Sequence, residues 1–499
     1  MNKQSLTPFL TKLIEYAENK EIISFDVPGH KLGRINDDLR NYLGEKLYRL
    51  DCNSPIGLDN LNKPKGVLLE ASNLMAEAFK GNKAFFLTGG TTMGILSLVM
   101  SVVKSKEKII LPRNVHKSTI NALILSGAIP VFIYPEFDVK LGISNQVSFE
   151  DVKKCIEENT DARAILLLNP TYFGVTCDIM KIVDFAHQYN IVVLVDEAHG
   201  SHFGFSNLLP LSSMECYADA MTASLHKTIG SLTESSIIVT QGLRIDNQKL
   251  KSTINMLQST SPSSLLLASL DSSRKYFYEH GEEDIKRVLE LALEARKKIN
   301  KIKGLFSPDK EYFTKNGSFD YDETKLIVYI KEIGLPGPLV YKKLFYDYQI
   351  QIELAEPNLI LMVLTSGTNE HDLNKLVLAL QDISKEFYSD PEIDYEPPVV
   401  TYKYPEYSVR PRVAYHAPYK YILLNEAENE IIAESIMIYP PGIPLVIPGE
   451  IINQEIINEL IYYQNTDSLI LKDTDGILVK VIDKEKWNKY LEDEENEEK

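Results

Sequence analysis

The chain has 499 residues, 44% of them hydrophobic and 25% charged, which is ordinary for a globular protein and excludes collagen-like, disulfide-rich and disordered classes. Its 53 basic against 70 acidic residues give a formal charge of −17. With no basic surplus to neutralise phosphates, nucleic-acid and anionic-membrane partners are disfavoured, and a cationic small substrate is favoured.

Residues 1–5 lead into an amphipathic stretch rather than a signal-peptide core. The longest apolar run, 94–103, is far shorter than the roughly 20 residues that span a bilayer. Cys52, Cys155, Cys177 and Cys216 form no CxxC pair, so a zinc knuckle or disulfide framework is not expected. A reducing cytoplasmic location follows.

From about residue 80 to 240, short runs rich in Ile, Val and Leu alternate with amphipathic ones. The runs 108–111, 130–134, 164–168, 191–195 and 236–240 have the length and composition of strands buried on both faces of a parallel sheet. Between them, 148–159 and 178–190 carry helical spacing, the first opened by Ser148 with Glu150 and Asp151 behind it. This alternation predicts an α/β domain. One long charged helix is expected over 282–302, then strands at 325–330 and 359–364 and a helix at 371–387. The stretch 389–405, with four prolines, reads as a linker. A final region follows, and the acidic tail 492–499 reads as a solvated helix end.

The chemistry-bearing residues fall at strand ends. Asn114 and His116 follow one expected strand, Thr171 and Tyr172 another, and Asp196, Ala198 and His199 a third. Ser224, His226 and Lys227 precede the last. Carboxyl ends of parallel strands share one edge, where ligands bind, so the four clusters are expected to converge there. Gly89-Gly90-Thr91-Thr92-Met93-Gly94 precedes an apolar helix. Its glycines allow close approach and its N–H groups and hydroxyls suit a phosphate monoester, or else a plain capped turn.

Asp196-Glu197-Ala198-His199 spells the DEAH box of nucleic-acid-dependent ATPases, but no P-loop lysine accompanies it. Its Asp suits a protonated ring nitrogen, or a helix cap. Lys227, after the apolar run 218–223, would be a nucleophilic amine if desolvated, able to form a Schiff base with an aldehyde cofactor; the plainer alternative is a surface lysine. His199 and His202 lack a third ligand, so no metal is expected.

In order, these segments resemble the pyridoxal-phosphate enzymes of the aspartate-aminotransferase-like fold, and more narrowly the bacterial ornithine/lysine/arginine decarboxylase family in its short form. The resemblance rests on Phe25-Asp26-Val27-Pro28-Gly29-His30-Lys31, Gly57-Leu58-Asp59-Asn60-Leu61, the glycine-threonine loop and Arg113-Asn114-Val115-His116-Lys117. It continues through Asn169-Pro170-Thr171-Tyr172, the segments 196–199 and 224–227, Thr260-Ser261-Pro262-Ser263, and Tyr439-Pro440-Pro441-Gly442-Ile443-Pro444 with Pro448-Gly449-Glu450. Two residues depart from the family's habit: Leu225 where Thr is frequent, and His199 where some members carry Trp.

The resemblance implies an α/β fold with a mostly parallel central sheet, a small α/β domain and a C-terminal α+β domain. The implied division is an N-terminal arm over 1–60, a cofactor domain over 61–280, a small domain over 281–388, and linker plus C-terminal domain over 389–499. It implies pyridoxal phosphate on Lys227, with Asp196 holding the ring nitrogen protonated and His116 and Ala198 on the ring faces. Gly90, Thr91, Thr92, Ser224 and His226 would hold the phosphate, with Thr171 and His199 also against the cofactor. His226 would help return a proton to Cα. Ser263 would be lent by a partner subunit, and His30 and Glu450 would meet the substrate. The family's extra N-terminal domain finds no room before Pro28, so a dimer or dimer of dimers is expected.

The implied activity is decarboxylation of a basic amino acid, arginine before lysine or ornithine, giving agmatine, cadaverine or putrescine. An aminotransferase or other lyase on the same cofactor, or an inactive regulatory relative, are the alternatives. Against transamination, only Arg410 and Arg412 occur beyond Lys297 to clamp a substrate carboxylate.

Overall fold

The computed structural model describes residues 2–388, 404–439, 442–465 and 469–487. Contacts divide it into two units. The first comprises 1–102, 179–289 and 365–367, the second 103–178, 290–364 and 368–499. Most of the stretch 389–405, Pro440, Pro441 and the tail 492–499 lie outside the described residues.

The first unit is built on a four-stranded sheet in the order Lys83–Leu87, Ser236–Thr240, Ala220–Ser224, Val192–Asp196. All residues of the last three are buried, as their continuous apolar runs require. Val192–Asp196 runs parallel to Ala220–Ser224, with Asp196 opposite Thr222. Ser236–Thr240, expected in a parallel sheet, is antiparallel to both neighbours. A parallel return needs a crossover of roughly a dozen or more residues with a helix on the sheet face, and the connection Leu225–Ser235 contains only the one-turn helix Leu225–Thr228.

Helices Val67–Ala78, Gly90–Val102 and Asn247–Leu257 accompany this sheet. Gly94 lets Gly90–Val102 come down on the central strand: a Cβ there would stand 2.1 Å from the Thr222 Oγ1. The long charged helix begins eighteen residues before the expected 282, running Ser264–Ile299. Gly281 ordinarily weakens a helix interior. Here it is tolerated because a Cβ would already meet Phe277 at 3.0 Å and Phe205 at 3.3 Å.

The second unit carries a parallel sheet in the order Ala164–Leu168, Lys108–Pro112, Ile129–Ile133. Helix Phe149–Glu158 starts where Ser148 caps it, its hydroxyl accepting from the Asp151 N–H at 3.1 Å. A separate antiparallel sheet joins Lys325–Tyr329, Leu359–Val363 and Leu354–Glu356. Helix Glu370–Phe387 is capped by Asn369. The C-terminal part pairs Tyr419–Leu423 with Leu478–Ile482, and Ile436–Ile438 with Pro444–Val446 and Ile470–Leu471. Its core gathers Ile432, Ile436, Val446, Ile452, Ile457 and Val481.

Candidate active site

Because Val192–Asp196 and Ala220–Ser224 are parallel neighbours in the first unit, both end at the same edge. Asp196 is the last residue of its strand and is buried, its Oδ1 accepting the Ala198 N–H at 3.1 Å. Burial pushes its carboxyl above the usual carboxylate range, while the Ala198 N–H and the Lys227 charge pull it back. Glu197 is fully buried and faces the other way, accepting the Ser213 N–H at 3.1 Å and its hydroxyl, which pins the turn that aims Asp196.

Ser224 ends the neighbouring strand, and the single turn Leu225–Thr228 then presents His226 and Lys227. Leu225 is fully buried and anchors this turn in the core. The Lys227 Nζ lies 3.0 Å from the Nε2 of His199. His226 Nδ1 lies 3.0 Å from the Ser235 carbonyl oxygen, to which it must donate; the neutral ring then keeps a lone pair on Nε2. Burial holds the His226 pKa below its ordinary 6.5, with the Lys227 charge acting in the same direction. Ser201 ties the following loop to the strand end, donating to the Ser224 carbonyl at 3.2 Å.

The helix Gly90–Val102 points its first turn at this edge. The Thr91 Oγ1 lies 3.1 Å from the Ser224 Oγ, so two hydroxyls meet at a helix N-terminus. Gly90 takes a positive φ of 68° and spends its N–H on the Glu234 carbonyl at 2.8 Å. Its contribution is therefore conformational, and the donors left for an anion are those of Thr91, Thr92 and Ser224.

Two candidates of this unit stand on other contacts. His30 is held by Asp51 at 3.2 Å and by the Gly33 N–H, and packs edge-on against Tyr48. Ser263 opens the long helix, accepting the Leu266 N–H at 3.5 Å. His202 is buried beside Phe203, and no metal-holding cluster of His, Cys, Asp or Glu occurs among the described residues.

In the second unit, His116 caps helix Lys117–Ser126, its Nδ1 accepting the Ser118 N–H at 3.1 Å. Gly442 packs on the same ring; a Cβ there would lie 3.1 Å from the His116 Nε2. Thr171 is buried and accepts the Val175 N–H through its hydroxyl.

Glu450 is not free to receive a substrate. It is fully buried, and Arg113, equally buried, binds both its oxygens at 2.7 Å. Arg113 also donates to the Pro444 carbonyl at 3.0 Å and the Leu445 carbonyl at 3.3 Å, fastening this segment of the C-terminal region. A bidentate guanidinium pair of this kind saturates the carboxylate. Arg113 stood in the sequence beside Asn114 and His116, but its partner lay 337 residues away, beyond any spacing argument. Arg410 and Arg412 are likewise committed, the first to the Gly127 carbonyl and the second to the Ile124 and Leu125 carbonyls at the end of helix Lys117–Ser126.

Sequence reasoning missed a further group in this unit. Tyr172 donates its hydroxyl to Glu353, and Tyr463 donates to Glu356 at 3.0 Å. Glu353 and Glu356 lie on or just before the short strand Leu354–Glu356, whose charge gave no alternation to read.

A lysine amine, a buried carboxylate at the next strand end and a hydroxyl-lined helix N-terminus define an α/β enzyme whose chemistry centres on a lysine and an anion cradle. The chain belongs to the Orn/Lys/Arg decarboxylase family: it matches that family's major domain over residues 7–372 and its C-terminal domain over 399–470. It is 40% identical to the arginine decarboxylase of Bacillus subtilis (strain 168) over 93% of this chain and 94% of the relative. It is 42% identical to the arginine decarboxylase of Bacillus anthracis over 90% and 91%. The crystal structure of the Francisella novicida lysine decarboxylase LdcF superposes with a TM-score of 0.82 at 19% identity, covering 96% of this chain and 82% of that one, and so shares the fold.

Proposed function

We propose that this chain decarboxylates a basic amino acid, arginine before lysine or ornithine, with pyridoxal phosphate as cofactor. The observation that carries the reading is the pairing of Lys227 and Asp196 at adjacent parallel strand ends, in a chain about 40% identical to arginine decarboxylases along nearly its whole length. The residues fit the cofactor: Thr91, Thr92 and Ser224 offer donors to a phosphate, Asp196 a buried carboxylate to a pyridinium, and Lys227 an amine to an aldehyde.

When bound, pyridoxal phosphate supplies an electron-accepting ring for the pair released as the Cα–carboxylate bond breaks. Lys227 holds the cofactor. Asp196, desolvated when alone, is stabilised as a carboxylate by a protonated ring nitrogen and keeps that proton in place. His226 would help return a proton to Cα after carbon dioxide leaves: its Nε2 lone pair first takes a proton from solvent and then gives it up, while Nδ1 stays bonded to the Ser235 carbonyl. Ala198 would meet one face of the cofactor ring and His199 would orient the Lys227 amine; His116 and Thr171, in the second unit, remain candidates for the other face and the ring hydroxyl. His30 is the remaining candidate for a substrate contact.

Transamination is disfavoured because both arginines beyond Lys297 are spent on helix carbonyls. We take the protein to be cytoplasmic, with none of its four cysteines in a disulfide and no helix among the described residues long and apolar enough to cross a membrane. We take the assembly to be a dimer or dimer of dimers with Ser263 lent across the interface. Phe25 at 90% and Tyr42 at 88% exposure in the 1–60 arm support a covered surface. The test is carbon dioxide release from arginine, lysine and ornithine with added cofactor and identified amines. One strong substrate is expected; silence on all three with bound cofactor would overturn the reading.

A further inference from the structure

In the first unit, between the turn that carries Lys227 and the strand Ser236–Thr240, residues Leu232–Ser235 close a tight turn of their own. The Ser235 N–H donates to the Leu232 carbonyl at 3.1 Å. This turn is firmly held. Ser235 is fully buried and its hydroxyl also donates to the Leu232 carbonyl, while the Leu232 N–H donates to the Ser269 Oγ at 3.2 Å on helix Ser264–Ile299. Two successive carbonyls of the turn then serve the site. That of Glu234 accepts the Gly90 N–H at 2.8 Å, at the start of helix Gly90–Val102, and that of Ser235 accepts from the His226 Nδ1 at 3.0 Å. One loop therefore sets both the first residue of the anion cradle and the tautomer of the imidazole.

Glutamate is an unexpected residue for this place. The Glu234 φ of 73° lies in the left-handed region, where the third residue of such a turn is ordinarily Gly or Asn. A larger side chain there carries backbone strain, which persists only where the surroundings impose it. Packing does not explain the choice: the Glu234 side chain is exposed and makes no hydrogen bond or ion pair among the described residues. Its charge does. Two charged groups act on the His226 ring, Lys227 from the ring's own turn and Glu234 from the loop that follows. Lys227 joins burial in opposing a proton on the ring, and Glu234 favours one.

We propose that Glu234 is a positioning residue for the proton-returning imidazole. Its backbone and that of Ser235 fix the ring beside the anion cradle, and its carboxylate supplies the negative charge that lets Nε2 take a proton next to Lys227. The inference rests on the decarboxylase reading above, in which His226 returns that proton to Cα.

The test follows His226 directly. Full-length protein without cofactor is treated with diethyl pyrocarbonate, which reacts with the neutral imidazole, and modification of His226 is quantified by mass spectrometry across a pH series. At low ionic strength Glu234→Gln is expected to move the midpoint down by about 0.3–0.5 pH unit, the size a partly screened charge gives. High salt should shrink the difference. Glu234→Gly, which relieves the backbone, should show the same shift with stability at or above wild type, and Glu234→Asp should restore the wild-type midpoint. In the loaded enzyme the alkaline limb of kcat should move down with the midpoint while KM holds. An unmoved midpoint in Glu234→Gln, or an equal shift in Glu234→Asp, would overturn the proposal. The two readings fail separately. A shifted midpoint in a protein that decarboxylates nothing keeps the Glu234–His226 pairing and sinks the decarboxylase. Arginine decarboxylation with an unmoved midpoint does the reverse.

Discussion

The Lys227 amine and the His199 imidazole stand 3.0 Å apart, Nζ to Nε2, at the edge where two parallel strands end. A lysine in that position can be read by its colour. Lys227→Ala is expected to lose the visible absorbance of the lysine-bound cofactor and all measurable turnover while unfolding like wild type. A variant that keeps the band would remove Lys227 from the reaction.

Asp196→Asn separates binding from chemistry. The amide still fills its place at the strand end but cannot keep a proton on a ring nitrogen. Cofactor should remain bound by equilibrium dialysis while turnover falls by roughly a hundredfold or more, about 2.7 kcal/mol of barrier. Near-normal turnover would mean that Asp196 serves only its turn.

Glu450→Gln tests the opposite kind of role. It strands Arg113 as a buried, unmatched guanidinium, and breaking one partner of such a pair typically costs about 3–5 kcal/mol. Denaturant melts should show that loss, with KM for the preferred substrate unchanged. A raised KM at unchanged stability would restore the substrate role that the sequence suggested.

Acid should weaken the fold through His226. Its folded pKa lies below 6.5, so between those two values the unfolded chain binds a proton that the folded chain refuses. The stability from this group is complete above about pH 6.5 and is lost as the pH falls toward the folded value. His226→Gln should flatten that limb of the stability–pH curve; an unchanged curve would show that the ring titrates normally.

The exposed N-terminal arm predicts association. Wild type should sediment as a dimer or larger, and Phe25→Asp combined with Tyr42→Asp should shift it toward monomer. A wild-type monomer would remove the need for a partner's Ser263.

Much of this was legible in residue order. Five apolar runs each proved to contain a strand within a residue or two of the expected bounds, Ser148 marked a helix start correctly, and the helix expected at 371–387 runs Glu370–Phe387. What failed was information that residue order does not hold. The direction of Ser236–Thr240 depends on how short its connection is in space. The start of the long helix was hidden by Gly281, whose cost is offset by Phe277 and Phe205. Glu450 looked like a free acid because its guanidinium partner is remote in sequence. Glu353 and Glu356, two of many acidic residues, gained meaning only from the tyrosines that face them.

Gly94 touches no substrate and ionises at no pH, yet a methyl group there would collide with the Thr222 side chain. The helix carrying Thr91 would have to lift, and the strand ending in Ser224 would not follow. The spacing between the two hydroxyls is thus set by an atom the protein does without. Damage at such a position would be mistaken for a chemical defect: weak cofactor retention, slow turnover and an intact catalytic inventory. Screens that score only residues in contact with ligands would pass over it.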